Sequence, residues 1–245
     1  MPGFFSDQPG RWIFTEFGPI HLVVIAVVAV AIALTVTFRR RLRARAGVRR
    51  AVPLVCLGVA MVLEVAYHVW TYVNDLDFWF NFWPLELCSI SPWLSVALLS
   101  THSRAVFEIF YFVSIGGLMA VLFPSFGPYG PDHFRFWHFF VVHAYAVWLN
   151  AWFLSVEGYR LRRTAFLRLL AFAVPFAALV RLIDWRFDVN YMYLRGPSAT
   201  ASPLDVLGSP PWYFVNLLLL ALAIFFLMYL VAPKEPRRPK AMAAT

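Results

Sequence analysis

Residues 18–45 read GPIHLVVIAVVAVAIALTVTFRRRLRAR, an apolar run that ends abruptly in arginine. A bilayer's hydrocarbon is crossed by about 20 helical residues, so Gly18–Phe38 suffices as one span. The arginine block behind it acts as a stop. The preceding residues carry Asp7, Arg11 and Glu16 rather than a basic start before a short apolar core, so the run reads as a retained helix and not a cleaved leader. The rest of the chain repeats the pattern. Of 245 residues, 61% are hydrophobic and only 14% charged, a balance that would leave a soluble domain with far too much apolar surface. Seven spans follow, at about 18–38, 51–72, 84–100, 105–123, 134–155, 164–183 and 212–232. The expected fold is an all-α membrane protein, residues 1–245 forming a single bundle of seven transmembrane helices.

The net charge of +8 invites a nucleic-acid reading, which the placement of the charges opposes. Sixteen of the 21 cations fall in Arg39–Arg50, at Arg104, in Arg160–Arg168 and after Lys234. The other side holds Arg11, Arg135, Arg181, Arg186 and Arg195 among many aspartates. By the positive-inside rule the N-terminus is outside and the C-terminus cytoplasmic. The basic loop then meets anionic lipid, and no nucleic acid is expected. Cys56 and Cys88 fall near opposite faces of the membrane, too far apart for a disulfide.

Working outward, the polar residues inside the spans are the candidates for function, because ionisable groups in hydrocarbon are costly. The segment Trp83-Pro84-Leu85-Glu86-Leu87-Cys88-Ser89-Ile90-Ser91-Pro92 reads as a helix opened by Pro84. Cys88 would sit one turn in, where the helix's positive end favours a thiolate, and Pro92 would bend the helix below it. Glu64 and His68 share a face, as do His143 and Asn150, while His138 lies on another side of the same span. Asp184 ends the sixth. His68, Cys88, His138 and Asp184 all fall within roughly 7 Å of the outer boundary, with Glu64 and His143 a turn or two deeper. The inner half holds little beyond Cys56 and a few hydroxyls. His21, His102 and His133 read as interfacial or loop residues. The long connection from Asp184 to Pro211, with Asn190 and Tyr191, reads as a lid or re-entrant segment.

Several blocks carry a resemblance: Pro84-Leu85-Glu86-Leu87-Cys88, Phe134-Arg135-Phe136-Trp137-His138 with His143, Val156-Glu157-Gly158-Tyr159-Arg160, Asn190-Tyr191-Met192-Tyr193-Leu194, and Leu204-Asp205-Val206-Leu207-Gly208 leading to Pro211-Trp212-Tyr213. In order and content they resemble the YwaF-like integral membrane family of bacteria, related to a eukaryotic transmembrane cysteine-dependent phospholipid acyltransferase. The resemblance implies a bacterial inner-membrane protein acting on membrane phospholipid. It departs at Glu86, where many relatives have histidine, which moves the role of base to His143 or His138.

The expected chemistry is acyl transfer or ester cleavage, with Cys88 as nucleophile and His143 or His138 as base. Glu64 or Asp184 would orient the imidazole, and Asn190 or amides near Pro84 would face the oxyanion. His68, Glu86 and Tyr191 are supporting residues; no cofactor or metal is required. Two other readings compete. One is a zinc-dependent seven-helix hydrolase, for which His138 and His143 are poorly spaced. The other is a lipid or small-solute binding or transport protein.

Overall fold

Helix α8, Phe134–Trp152, is the axis of the molecule. It buries residues on nearly every side, from Phe134 and Phe136 through Phe139 and Phe140 to Leu149 and Trp152, as a helix apolar all round must. The structure is a computed structural model and describes residues 3–197 and 203–236. Among these, no strand forms beyond isolated bridges.

Around α8 stand α1 (Pro19–Thr37), α3 (Ala46–Val73), α5 (Ile90–Thr101), α6 (Arg104–Val113) and α7 (Ile115–Leu122), with α9 (Ala165–Phe187) and α10 (Trp212–Val231) outside them. Two short helices, α2 (Arg39–Ala44) and α4 (Phe78–Phe82), lie at opposite ends of α3. Among the described residues six helices are long and apolar enough to cross a membrane, with α6 and α7 counting as one run, Arg104–Leu122. Their outer surfaces are open: α1 buries only His21 and Thr35, and α10 only Tyr213.

The third expected span is shorter than the sequence suggested. Pro84 does not open a helix; residues 84–89 run through an irregular stretch into a turn, and α5 begins at Ile90. The cause is Pro92. A helix from Pro84 would carry Pro92 in its interior, without an N–H to reach the Cys88 carbonyl. Started at Ile90, the helix holds Pro92 in its first turn, where that N–H has no intrahelical partner to lose. At about 1.5 Å per residue, α5 is about 18 Å long, short of the roughly 30 Å hydrocarbon core.

Close approach of α7 to α8 depends on Gly117. A Cβ there would come within 2.9 Å of the His143 carbonyl oxygen. Small residues at such contacts let helix backbones meet. Asn150 sits where α6 passes into α7, donating to Tyr111 O at 3.1 Å and to Ser114 Oγ. It therefore fixes a helix break, on the side of α8 that His143 shares.

The helix-end carbonyls of α8 are met by arginines. The helix runs into a π turn, Phe153–Glu157, closed by Gly158 at φ +74°. Arg43 donates to Val156 O and Ser155 O at 2.8 and 2.9 Å, and Arg160 to Leu154 O at 2.8 Å. The Val156–Arg160 block is thus a structural cap, satisfying carbonyls that a helix end leaves unpaired.

Candidate functional site

Glu64 of α3 is buried and faces α8. Its Oε2 lies 3.0 Å from His138 Nε2, and its Oε1 lies 3.9 Å from His68 Nε2. On the far side of the His138 ring, Arg135 Nη1 lies 2.8 Å from Nδ1. Arginine can only donate, so Nδ1 accepts and Nε2–H donates to Glu64. Both nitrogens are committed, and His138 keeps no lone pair for proton abstraction. Tyr67 stacks on the ring at 4.2 Å, with the Arg135 guanidinium 4.5 Å from the Tyr67 ring centre. The Tyr67 hydroxyl donates to Asn81 Oδ1 at 2.8 Å, tying the cluster to α4. His68 Nδ1 is buried with no hydrogen-bond partner.

Five residues thus make one chain, His68–Glu64–His138–Arg135 with Tyr67 against it. The sequence reading included three of them. Arg135 enters the sequence reading only as an outer-side cation in the topology count, although it stands three residues before His138 on the same helix face. Tyr67 stands three after Glu64 and could have been found the same way.

His143 lies one to two turns further along α8. Its Nδ1 is 2.5 Å from Phe139 O, so Nδ1 holds the proton and Nε2 keeps its lone pair. Of the two histidines proposed as bases, His143 is the one with a basic nitrogen to offer.

Cys88 occupies the turn before α5 and is half-buried. Its backbone lies against α7: a Cβ on Gly116 would come 3.0 Å from Cys88 N. Gly116 therefore receives the cysteine turn and Gly117 the His143 turn of α8, which brings both onto adjacent residues of one helix. Glu64 is within charge-interaction range of Cys88 and of His143. The expectation that a helix end would favour the thiolate is not met. The sulfur precedes the helix, so the first-turn N–H groups and the positive helix end do not lie in front of it as expected.

The remaining candidates serve the loop after α9. Asp184 is fully buried, and its Oδ1 accepts from Tyr191 N at 2.9 Å rather than from a histidine. Asn190 donates to Gly196 O at 3.1 Å and accepts from Arg195 N at 2.9 Å, so its amide is spent within the loop and not on an oxyanion. Tyr191 donates to Phe80 O at 2.6 Å and stacks on Phe80 at 4.6 Å. Glu86 accepts from Met192 N at 3.0 Å, in the irregular segment outside the spanning helices. There burial raises its carboxyl to about 7, against the lowering effect of that N–H. Tyr213 of α10 donates to Tyr193 O at 3.2 Å. The loop is folded back over the end of the bundle and bonded to α4, α9, α10 and the cysteine segment.

The other half of the membrane is not empty of charge, contrary to the sequence reading. Glu108 of α6 is buried and accepts from Arg162 Nε at 3.0 Å and from Arg168. His21 and His133 are also buried, with both ring nitrogens bonded: His21 to Phe17 N and Val121 O, His133 to Arg135 N and Ser6 O. Among the described residues, no three His, Cys, Asp or Glu side chains converge to hold a metal ion.

An all-helical membrane protein with an enclosed acid–imidazole–guanidinium chain near one end is the class these features define. The chain matches the TMEM164 family over residues 16–229, from just before α1 to nearly the end of α10, and it belongs to that family. No curated protein and no solved structure matches it.

Proposed function

We propose that this protein is an acyl-transfer enzyme of membrane phospholipids, working through Cys88 with His143 as base. The observation that carries the reading is the pair Gly116-Gly117, against which the Cys88 turn and the His143 turn each pack. An ordinary thiol is mostly protonated at neutral pH, so the proton must leave as the sulfur attacks. His143 Nε2 takes that proton. Sγ bonds to the ester carbonyl carbon, the ester C–O bond breaks, and the imidazolium protonates the departing lysolipid alkoxide. An incoming lipid hydroxyl then gives its proton to His143 Nε2 as its oxygen attacks the thioester carbonyl, the C–S bond breaks, and the imidazolium returns the proton to Sγ. The Glu64–His138–Arg135 chain acts by position, holding α3 and α8 in register beside the reacting groups.

Under this reading the chain is a YwaF-like bacterial member of the family and resides in the plasma membrane. It crosses seven times, with α5 and the turn before it making the third passage. The arginine-rich end is cytoplasmic, so Cys88 works in the outer leaflet. The test is covalent. An acyl-thiol probe in native membranes should label wild type at Cys88, fail on Cys88→Ala, and label His143→Gln at least tenfold more slowly, with all three proteins present in equal amount. Lipid turnover undiminished in Cys88→Ala would overturn the mechanism.

A further inference from the structure

At the arginine-rich end, a groove of about 480 Å³ opens between α1, α2, α3 and α8. Arg41 and Arg45 line it, with no carboxylate among its lining residues. Among the described residues neither arginine has an ion-pair partner. Below them the wall is apolar, including Leu34, Val52 and Trp148. One further donor lies in the same lining: Trp152 is 1% exposed, and its indole Nε1–H has no acceptor. The 28-residue helix α3 starts at Ala46 with no side-chain cap on its N-terminal N–H groups; Val48 of that first turn lines this groove, while Ala46 and Gly47 line its neighbour. Uncapped N–H groups and the positive helix end both favour an anion.

The geometry points to a binding site for one anionic diacyl phospholipid, with its phosphate between Arg41 and Arg45 and an acyl chain against Leu34 and Val52. The groove straddles the end of the spanning helix α1, so a charged head and an apolar tail would both find matching surroundings. A second groove of about 880 Å³, which shares Trp152 and takes in Ala46, Gly47, Arg49 and Arg50, has Glu157 in its lining, paired with Arg49 at 3.5 Å. That carboxylate cancels one cation and makes it the poorer anion site. The assignment does not depend on the acyl-transfer reading, since none of these residues touches the cysteine or histidine cluster.

The experiment uses the full chain purified from mixed vesicles of phosphatidylcholine and phosphatidylglycerol, with retained lipid counted by native mass spectrometry. Wild type should keep phosphatidylglycerol in preference to phosphatidylcholine. Arg41→Gln/Arg45→Gln should lower that retention by about tenfold or more, and Trp152→Phe, which removes the N–H donor, should lower it as well. Arg39→Gln/Arg40→Gln, with the same loss of charge outside the groove, should leave it within about twofold of wild type. Equal losses in the two arginine pairs, or no preference in wild type, would overturn the site. Displacement by soluble glycerol phosphate would instead reduce it to a phosphate site without a lipid.

Discussion

At the scale of single residues, the imidazoles are distinguished by what their nitrogens already do. His138 accepts on one side and donates on the other, whereas His143 is bonded through Nδ1 alone. Removing the acid between His138 and His68 leaves a buried N–H without a partner. Glu64→Ala is therefore expected to destabilise by about 2–3 kcal/mol, and Glu64→Gln, which keeps an acceptor, by much less. Chemical denaturation in detergent micelles would measure both, and equal losses would show that the carboxylate is not holding the ring. Glu86 offers a pH signal. Its folded-state pKa is raised, so its contribution is fully present below the ordinary carboxylate range and is lost as pH rises through about 7. Exchange of the Met192 amide, corrected for intrinsic rate, should accelerate across that window in wild type and show a flat profile in Glu86→Gln.

Among elements, the contact of α7 with its neighbours is the most constrained. A side chain at Gly117 meets the backbone of α8, and one at Gly116 meets the backbone of the cysteine turn; neither neighbour can swing aside. Gly117→Val should cost about 1–3 kcal/mol as α7 is forced from α8. Gly116→Ala should be milder in stability, yet should change the reactivity of Cys88 towards a maleimide. If both variants melt and react as wild type does, the two turns are not seated on these glycines. This level also shows what the sequence could and could not tell. Depth along a helix is readable, because 1.5 Å per residue turns position into height. That puts His68 and His138 at one depth with Glu64 a turn or two below, on the face of His68, and the structure has all three within one chain of contacts. Direction and helix start are less readable. Reading Pro84 as the helix start and Pro92 as a bend within it puts Cys88 in a helix that it precedes, since α5 starts at Ile90. Arg135 and Glu108 were missed because a charge near a span's end was assigned to solvent or to topology. Each is flanked by aromatics, Arg135 by Phe134 and Phe136 and Glu108 by Phe107 and Phe110, and that flanking is the available clue.

For the molecule as a whole, the two ends are held differently. One end is tied by the Glu108 carboxylate, which is inaccessible while its arginines remain about a third exposed, at 36% and 30%. Taking away the acid lets both guanidiniums turn to water, so Glu108→Ala should cost about 1–3 kcal/mol. Taking away both bases strands a buried anion, so Arg162→Ala/Arg168→Ala should cost about 3–5 kcal/mol. Glu157→Ala, which removes a half-exposed pair with Arg49, should cost under about 1 kcal/mol. Thermal midpoints of the three variants in lipid nanodiscs would rank them, and the reverse order for the first two would refute the account.

The cap on α8 has a consequence for the lipid around the protein. Arg43 and Arg160 close the π turn, Arg162 and Arg168 serve Glu108, and Arg104 pairs with Glu235. Each of these guanidiniums is bonded to a carbonyl or a carboxylate of the protein itself. Among the described residues, Arg40, Arg41, Arg45 and Arg50 around α2 have no carboxylate partner, and Arg163 lies apart from them. Within the described residues the positive potential at that surface is therefore concentrated around α2. The annulus of lipid should be enriched in anions there and ordinary elsewhere, so that a protein with so many arginines wears its charge as a badge on one flank instead of a collar.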